Sequence, residues 1–325
     1  MRNKMALVFT MLSSVCAGSP AVSRGYPQTE ITNGLLDASV ASDTGNPANF
    51  YRGQRFDWAG IVYSLRYKGH SYFGEWFDNF DPNFHDTVCG PAEEFTQIGY
   101  DDAKIGGGFL KIGVGVLKRS SDKPYSFRDP YEILDGGKWS VSSTKNSVTY
   151  MQTLQSALGS YVYEKTLELV ENSPVMAIRH RLKNTGKKTI DTSVYCHNFF
   201  MLDNEPAGKN ISLKFAFEPK GAELLLGAEK FVSLKGREFV YNKNFEDGDL
   251  ALYKNFDGEN KTENYDFRLE NAKTGASVRI TSDRPLMKVT FWSCKKTYCV
   301  EPFTRIVVEP NGTFEWTNFY EFYEK

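Results

Sequence analysis

The sequence predicts an all-β protein, a single large antiparallel β-sandwich. Three observations carry this expectation. Apolar and polar residues alternate with a period of two in stretch after stretch from about residue 31 onward, the pattern of half-buried strands. Aromatic residues make up 14% of the 325 residues and accompany many β-branched ones, which suits a pleated surface. Helical spacing is nearly absent, and no linker, low-complexity tract or short repeat divides the chain. Many strands with few helices then share one layered core, although the pattern alone would also allow two smaller β domains.

Residues 31–40 read as an opening hairpin and residues 44–49 as a polar loop. Residues 51–60 crowd charges and rings together at a turn. Residues 61–67 alternate as a strand, which Lys68-Gly69-His70 turns back into Ser71-Tyr72-Phe73. Residues 78–100, DNFDPNFHDTVCGPAEEFTQIGY, form the least regular part. Pro82, Gly90 and Pro91 break any long element there, and Ala92 to Phe95 read as one helical turn. A loop carrying His, paired carboxylates and rings is where a rigid β scaffold places a site, and a purely structural loop would read the same way.

Leu110, Ile112, Val114 and Val116 alternate with Lys111, Gly113 and Gly115 as a strand. No helix follows this G-x-G, so it is not a dinucleotide fingerprint. Alternating runs continue over residues 139–142, 147–154, 161–170, 213–217, 267–269, 277–281, 287–292 and 313–323. Residues 205–208 and 242–264 read as loops. At the centre, Met176, Ile178, His180 and Leu182 alternate with charged or small residues. Asn184-Thr185-Gly186-Lys187 follows as a turn, because Asn and Gly accept the positive φ that a hairpin needs. Residues 192–201 form the next strand, with Tyr195, His197, Phe199 and Met201 on one face. A histidine flanked by rings is either a packed core residue or a site residue.

With 39 basic against 40 acidic residues the formal net charge is -1, and no basic stripe is visible, which argues against nucleic acid as a partner. Arg2 and Lys4 precede an apolar run and then small residues, so residues 1–21 read as a secretory signal peptide with cleavage after Ala17 or Ala21. A buried N-terminal helix is the alternative. The expectation is an exported, periplasmic protein whose mature domain spans residues 22–325, and Cys16 leaves a lipoprotein route open. The apolar run is shorter than the ~20 residues of a membrane span, and no later stretch reaches that length. Cys89, Cys196, Cys294 and Cys299 remain after cleavage, and no C-x-x-C pair suggests zinc. Asp247-Gly248-Asp249 does not match a dedicated calcium loop. No H-E-x-x-H, G-x-S-x-G or G-x-x-x-x-G-K-[ST] occurs, so metalloprotease, α/β-hydrolase and nucleotide-hydrolase readings lack support.

Three segments together carry a resemblance. The strand, N-T-G turn and strand ending in His197-Asn198-Phe199-Phe200 come first. Tyr298-Cys299-Val300-Glu301-Pro302-Phe303 lies downstream, and Val308-Glu309-Pro310-Asn311-Gly312-Thr313 precedes the last strand. In this order they resemble the H-x-Y/F-F, C-x-E-P and L-x-P-G-x segments of galactose mutarotase-like proteins. The resemblance covers the chain from about residue 31 onward. It implies a supersandwich, a mono- or oligosaccharide ligand, no cofactor or metal, Glu301 as catalytic base and His197 as the acid that protonates the sugar ring oxygen. Galactose mutarotases carry an early N-R pair and an H-G-G-type segment that this chain lacks; His85 occupies a comparable place.

Anomerisation needs a base on the C1 hydroxyl and an acid on the ring oxygen, work that a carboxylate and an imidazole can share near neutrality. Sugar hydroxyls and C–H faces also need polar and aromatic partners, for which Arg55, Asp57, Trp58, His85 and Glu93 are the candidates. Cys299, Glu301 and Phe303 share a face, so Glu301 is expected among apolar neighbours that raise its pKa. Three readings follow: an aldose 1-epimerase-like isomerase, a non-catalytic carbohydrate-binding protein on the same fold, and a polysaccharide lyase, which the absence of a basic cleft disfavours.

Overall fold

Alternation sorts the strand Val175–Asn184 cleanly: Met176, Ile178, His180 and Leu182 are buried while Arg179, Arg181 and Lys183 are exposed. The same rule builds the rest of the molecule. The computed structural model describes residues 25–42, 50–225 and 227–325; the expected leader and the loop at 44–49 lie outside the described residues. A ten-stranded antiparallel sheet has at its centre Ala276–Ser282, Thr313–Glu324, Val175–Asn184 and Ser160–Leu169, side by side in that order. A six-stranded antiparallel sheet runs Glu223–Leu225, Leu250–Lys261, Leu286–Cys294, Tyr298–Val308, Ile190–Phe199 and Gly90–Phe95. Side chains of both sheets, among them Ile178, Leu167, Cys196, Val300 and Phe291, form one continuous apolar layer. Such burial of paired sheet faces is the main source of stability in a sandwich. Two small sheets, of four and three strands, flank the pair. Helix among the described residues is limited to three short 3₁₀ turns, and none is long and apolar enough to cross a membrane.

Four segments depart from the expectation, each for a physical reason. The turn at 184–187 does not close a hairpin: Val175–Asn184 belongs to the ten-stranded sheet and Ile190–Phe199 to the six-stranded one, so the chain crosses between layers there. The Asn184 side chain stabilises this crossing, donating to the carbonyls of Lys188 and Val308 at 2.8 Å each and accepting from the Gly186 N–H. Residues 110–116 are not one strand but a tight hairpin, Gly108–Lys111 and Gly115–Lys118, turned at Gly113 with φ +78°. A Cβ on Gly113 would stand 2.6 Å from Asp57 Oδ1, so only glycine lets the two loops approach. Ala92 to Phe95 is no helical turn: Gly90–Phe95 is the edge strand beside Ile190–Phe199. Its Pro91 is tolerated because an edge strand leaves N–H positions unpaired. Finally, part of the expected loop at 242–264 is the strand Leu250–Lys261, whose register against Leu286–Cys294 slips after Tyr253 and after Asp257. Asn255, Glu259 and Asn260 take positive φ at these bulges, and the slips erase the alternation that would reveal a strand.

The two sheets are also joined by buried charge. Lys165 Nζ lies 2.6 Å from Glu93 and 3.3 Å from Asp57, and also donates to the Ala59 carbonyl. His180 Nε2 meets Glu93 at 2.8 Å and Tyr163 donates to Asp57 at 2.9 Å. Burial alone would raise the pKa of Glu93, but His180 and Lys165 outweigh it and hold the carboxyl at about 2. Lys165 is raised for the converse reason, the two carboxylates overcoming its desolvation. Removing one member of such a cluster strands the others as uncompensated charge. Lys165→Met is therefore expected to lower unfolding free energy by about 3–5 kcal/mol in urea titrations. A loss within the experimental error of a surface substitution would show that the cluster does not hold the layers together.

Candidate functional site

Period-two alternation on Ile190–Phe199 sends Val194 and Cys196 into the sandwich and Tyr195, His197 and Phe199 to the opposite face of the sheet. Tyr298–Val308 presents Glu301 and Phe303 to that same face, and Leu286–Cys294 presents Lys288, Thr290 and Trp292. The ladder pairs Tyr195 with Phe303 and resumes as a bridge from Phe200 to Tyr298, a register that sets His197 opposite Glu301. Beneath them Asn198 points inward and braces the two strands, donating to the Val300 carbonyl at 2.8 Å and accepting from the Tyr320 hydroxyl at 2.9 Å. The face opens into a cavity of about 650 Å³ that also touches Arg55, Asp86, Phe127, Arg128, Lys254 and Asn255. This volume is within the range of about 300–1,000 Å³ usual for small-ligand clefts.

His197 Nε2 lies 3.3 Å from Glu301 Oε1, with both residues about 95% buried. The imidazole stacks on Phe199 at 3.9 Å and meets the edges of Phe56 and Trp292. Its Nδ1 has no hydrogen-bond partner among the described residues. An imidazolium would carry an N–H donor at both ring nitrogens, one of them unsatisfied, so this environment disfavours the charged form. Burial first, then the neighbouring Arg55, pushes the His197 pKa well down against the pull of Asp86. Burial likewise raises Glu301; Arg55 opposes it, Glu94 and Asp86 reinforce it, and the carboxyl ends at about 8. Near neutrality the pair thus holds one proton, on Glu301 rather than on His197.

Arg55 is fixed from three sides. It donates to Glu94 at 2.8 Å, to the Tyr195 hydroxyl at 2.9 Å and to Asp86. Its guanidinium also covers the Phe127 ring at 4.0 Å. Glu94 receives Lys111 at 2.9 Å and Tyr195 at 2.5 Å, and Lys111 and Arg55 together overcome burial to keep it a carboxylate. Asp86 is held at about 2, His85 and Arg55 outweighing its burial. On the far rim Lys288 donates to Asn255 at 3.0 Å, and its pKa is lowered by burial and by Lys254.

Of the residues singled out from the sequence, Arg55, His197 and Glu301 line the cavity together. His85 stands one layer behind, its Nδ1 2.9 Å from Asp86 and its ring 4.2 Å from Phe84. Asp57 and Glu93 do not line the cavity but lie in the buried cluster with Lys165: Asp57 sits in the 51–60 loop, where it also accepts from the Ala59 N–H, and Glu93 is turned inward because adjacent residues on a strand point to opposite faces and Glu94 takes the Arg55 side. Trp58 stacks with Trp139 and donates to the Gly53 carbonyl, also away from the cavity. Sequence reasoning passed over Asp86, Glu94, Tyr195, Thr290 and Trp292. Tyr195 shares His197's face and Thr290 and Trp292 alternate on a recognisable strand, so period two alone could have found them. Lys254 sits on the bulged strand that reads as loop, and no local signal marks it.

No family model matches the chain, and no curated protein matches it. Solved structures do. A protein of Synechocystis sp. PCC 6803 aligns over 92% of this chain and 96% of its own, at 13% identity and a TM-score of 0.57. A galactose mutarotase related enzyme from Lactobacillus acidophilus aligns over 91% and 97%, at 12% identity and a TM-score of 0.57. A galactose mutarotase-like protein from Clostridium acetobutylicum aligns over 91% and 95%, at 14% identity and a TM-score of 0.55. At these identities the likeness is one of fold: the chain has the galactose mutarotase-like supersandwich.

The raised carboxyl makes a pH prediction whose sign is fixed. Between the ordinary value of 4.5 and about 8 the folded state holds a proton on Glu301 that the unfolded state has released, so stability falls as pH rises through that window. His197 acts oppositely, adding stability as pH rises to its ordinary value of 6.5. From about pH 6.5 to 8 Glu301 therefore acts alone of the two, and the melting temperature of the wild type is expected to fall relative to that of Glu301→Gln. Parallel melting curves for the two proteins across this window would refute the raised carboxyl.

Proposed function

We propose that the cavity is a carbohydrate site and that the chain is an aldose 1-epimerase-like isomerase, interconverting sugar anomers by acid–base ring opening. The observation that carries this reading is the Glu301–His197 pair, a carboxyl and an imidazole 3.3 Å apart at the floor of a ring-walled cavity. Anomerisation consumes no net proton. It needs one group that is loaded and one that is empty, both near neutrality and both within about 3 Å of the sugar or one water away. The fold shared with mutarotase-related structures is in keeping with it.

In this mechanism the sugar's C1 hydroxyl donates to Glu301. That hydrogen bond favours the carboxylate, lowers its pKa and transfers the resting proton to His197. Glu301 then removes the C1 hydroxyl proton while His197 protonates the ring oxygen. The C1–O bond to the ring breaks and leaves an open-chain aldehyde. Rotation about C1–C2 and reclosure, with the proton movements reversed, give the other anomer. Arg55 already donates to both Tyr195 and Asp86, so these groups can hold hydroxyls without reorganising at the reactive step. Phe303, Trp292 and Phe199 supply apolar faces for sugar C–H groups.

The test is mutarotation of freshly dissolved single anomers from a panel of aldoses, followed by polarimetry or proton NMR. Glu301→Gln and His197→Asn are each expected to lower kcat about 10²–10⁴-fold while the folded fraction is unchanged, since that is the usual contribution of one acid–base group. Full turnover in a normally folded Glu301→Gln protein would remove the carboxyl from the mechanism. Absence of any catalysed interconversion, with sugar still bound, would favour the non-catalytic binding protein.

A further inference from the structure

A second cavity, of about 670 Å³, lies beside the first and shares Asp86 and Leu250 with it. Trp76 forms the joint. It stacks on Phe199 at 5.0 Å with the planes only 10° apart and meets Trp292 edge-on at 5.6 Å, and both of those rings line the first cavity. Since Phe199 itself stacks on His197, one row of rings runs from the second cavity to the proton-bearing pair. The indole N–H of Trp76 is already engaged by the Val88 carbonyl at 3.0 Å, which fixes the ring.

The second cavity has its own binding chemistry. Thr87, only 1% exposed, is among the residues around it, and its buried hydroxyl has no hydrogen-bond partner among the described residues. A buried hydroxyl left without a partner is costly, and a ligand hydroxyl would satisfy it. Phe84 contributes a ring that is 51% exposed. The loops around the opening are tied across by ion pairs, Lys296 to Asp78 and Lys295 to Asp247 at 2.9 Å. These pairs bring together segments far apart in sequence and shape the cavity without filling it. Rings for apolar C–H faces, with hydroxyl and carboxylate groups at the edges, are what a sugar ring requires.

We propose that the second cavity is a subsite for a further sugar residue, so that the ligand is an oligosaccharide whose reducing-end ring sits at His197 and Glu301. This rests on the carbohydrate reading of the first cavity. Only the reducing end of an oligosaccharide carries a free anomeric hydroxyl, so only that ring can be anomerised. The next residue then lies against Trp76 and Phe84, with a hydroxyl at Thr87. Asp86, common to both cavities, stands at the junction between the two rings.

Isothermal titration calorimetry with reducing disaccharides (maltose, cellobiose, lactose) and their constituent monosaccharides tests this. One ring contact and one hydrogen bond each give several-fold in affinity, so the preferred disaccharide is expected to bind about 10-fold tighter than its reducing-end monosaccharide. Phe84→Ala and the near-isosteric Thr87→Val should erase that advantage and leave monosaccharide affinity within about 2-fold of wild type. Monosaccharide binding with no gain for any disaccharide would overturn the second subsite and leave the first intact. Equal weakening of both ligand classes in the variants would overturn it as well. If no sugar of either class binds, both the subsite and the carbohydrate reading fall.

Discussion

Two neighbouring carboxylates on one edge strand hold this molecule in register. Glu93 and Glu94 point to opposite faces of Gly90–Phe95. Glu93 enters the sandwich and meets Lys165 and His180 from the facing sheet. Glu94 turns outward and takes Arg55, Lys111 and Tyr195. A slip of one residue would exchange the two faces and put each carboxylate beside the wrong partners, so the strand has a single tenable alignment. The cost of burying two acids is met by cations that come from distant parts of the chain, and that requirement ties the 51–60 segment, the sheets and the Gly108–Lys118 hairpin into one arrangement.

The chemistry of the cavity follows from how those cations are committed. Arg55 directs its hydrogen bonds to Glu94, Asp86 and Tyr195. It reaches Glu301 only through space, where Glu94 and Asp86 counteract it. Glu301 is therefore a buried carboxyl without a cation of its own, beside an imidazole that burial and Arg55 keep neutral. The same guanidinium acts on the two members in the ways that Coulomb's law requires, lowering both pKa values. Burial then separates them, raising the acid and lowering the base. The outcome is a proton held between two groups whose ordering would be reversed in water.

Much of this is legible in the sequence, for reasons tied to period two. The strands Val175–Asn184, Ile190–Phe199 and Tyr298–Val308 show their faces in their residues, so alternation alone puts His197 and Glu301 on definite faces of their strands. Partners across the sandwich are not legible. Asp57 and Glu93 look like site carboxylates because they neighbour Arg55 and Glu94 in sequence, yet each is paired to Lys165, more than 70 residues away along the chain. The crossing at Asn184 resembles a hairpin because the same residues suit both, and only the pairing of each strand elsewhere distinguishes them. In Gly90–Phe95 the helix-favouring Ala-Glu-Glu run is overridden by the ladder to Ile190–Phe199. Bulges at Asn255 and Glu259 hide the strand that carries Lys254.

The account depends most on where the shared proton rests, and the Glu301 carboxyl reports it directly. Infrared difference spectra between wild type and Glu301→Gln, taken across a pH titration, isolate that single group. A protonated-carboxyl band near neutrality that converts to carboxylate with a midpoint at about 8 is the predicted result. A carboxylate already formed at the ordinary glutamate value of 4.5 would contradict it, and would show that the buried pair does not hold its proton on the acid.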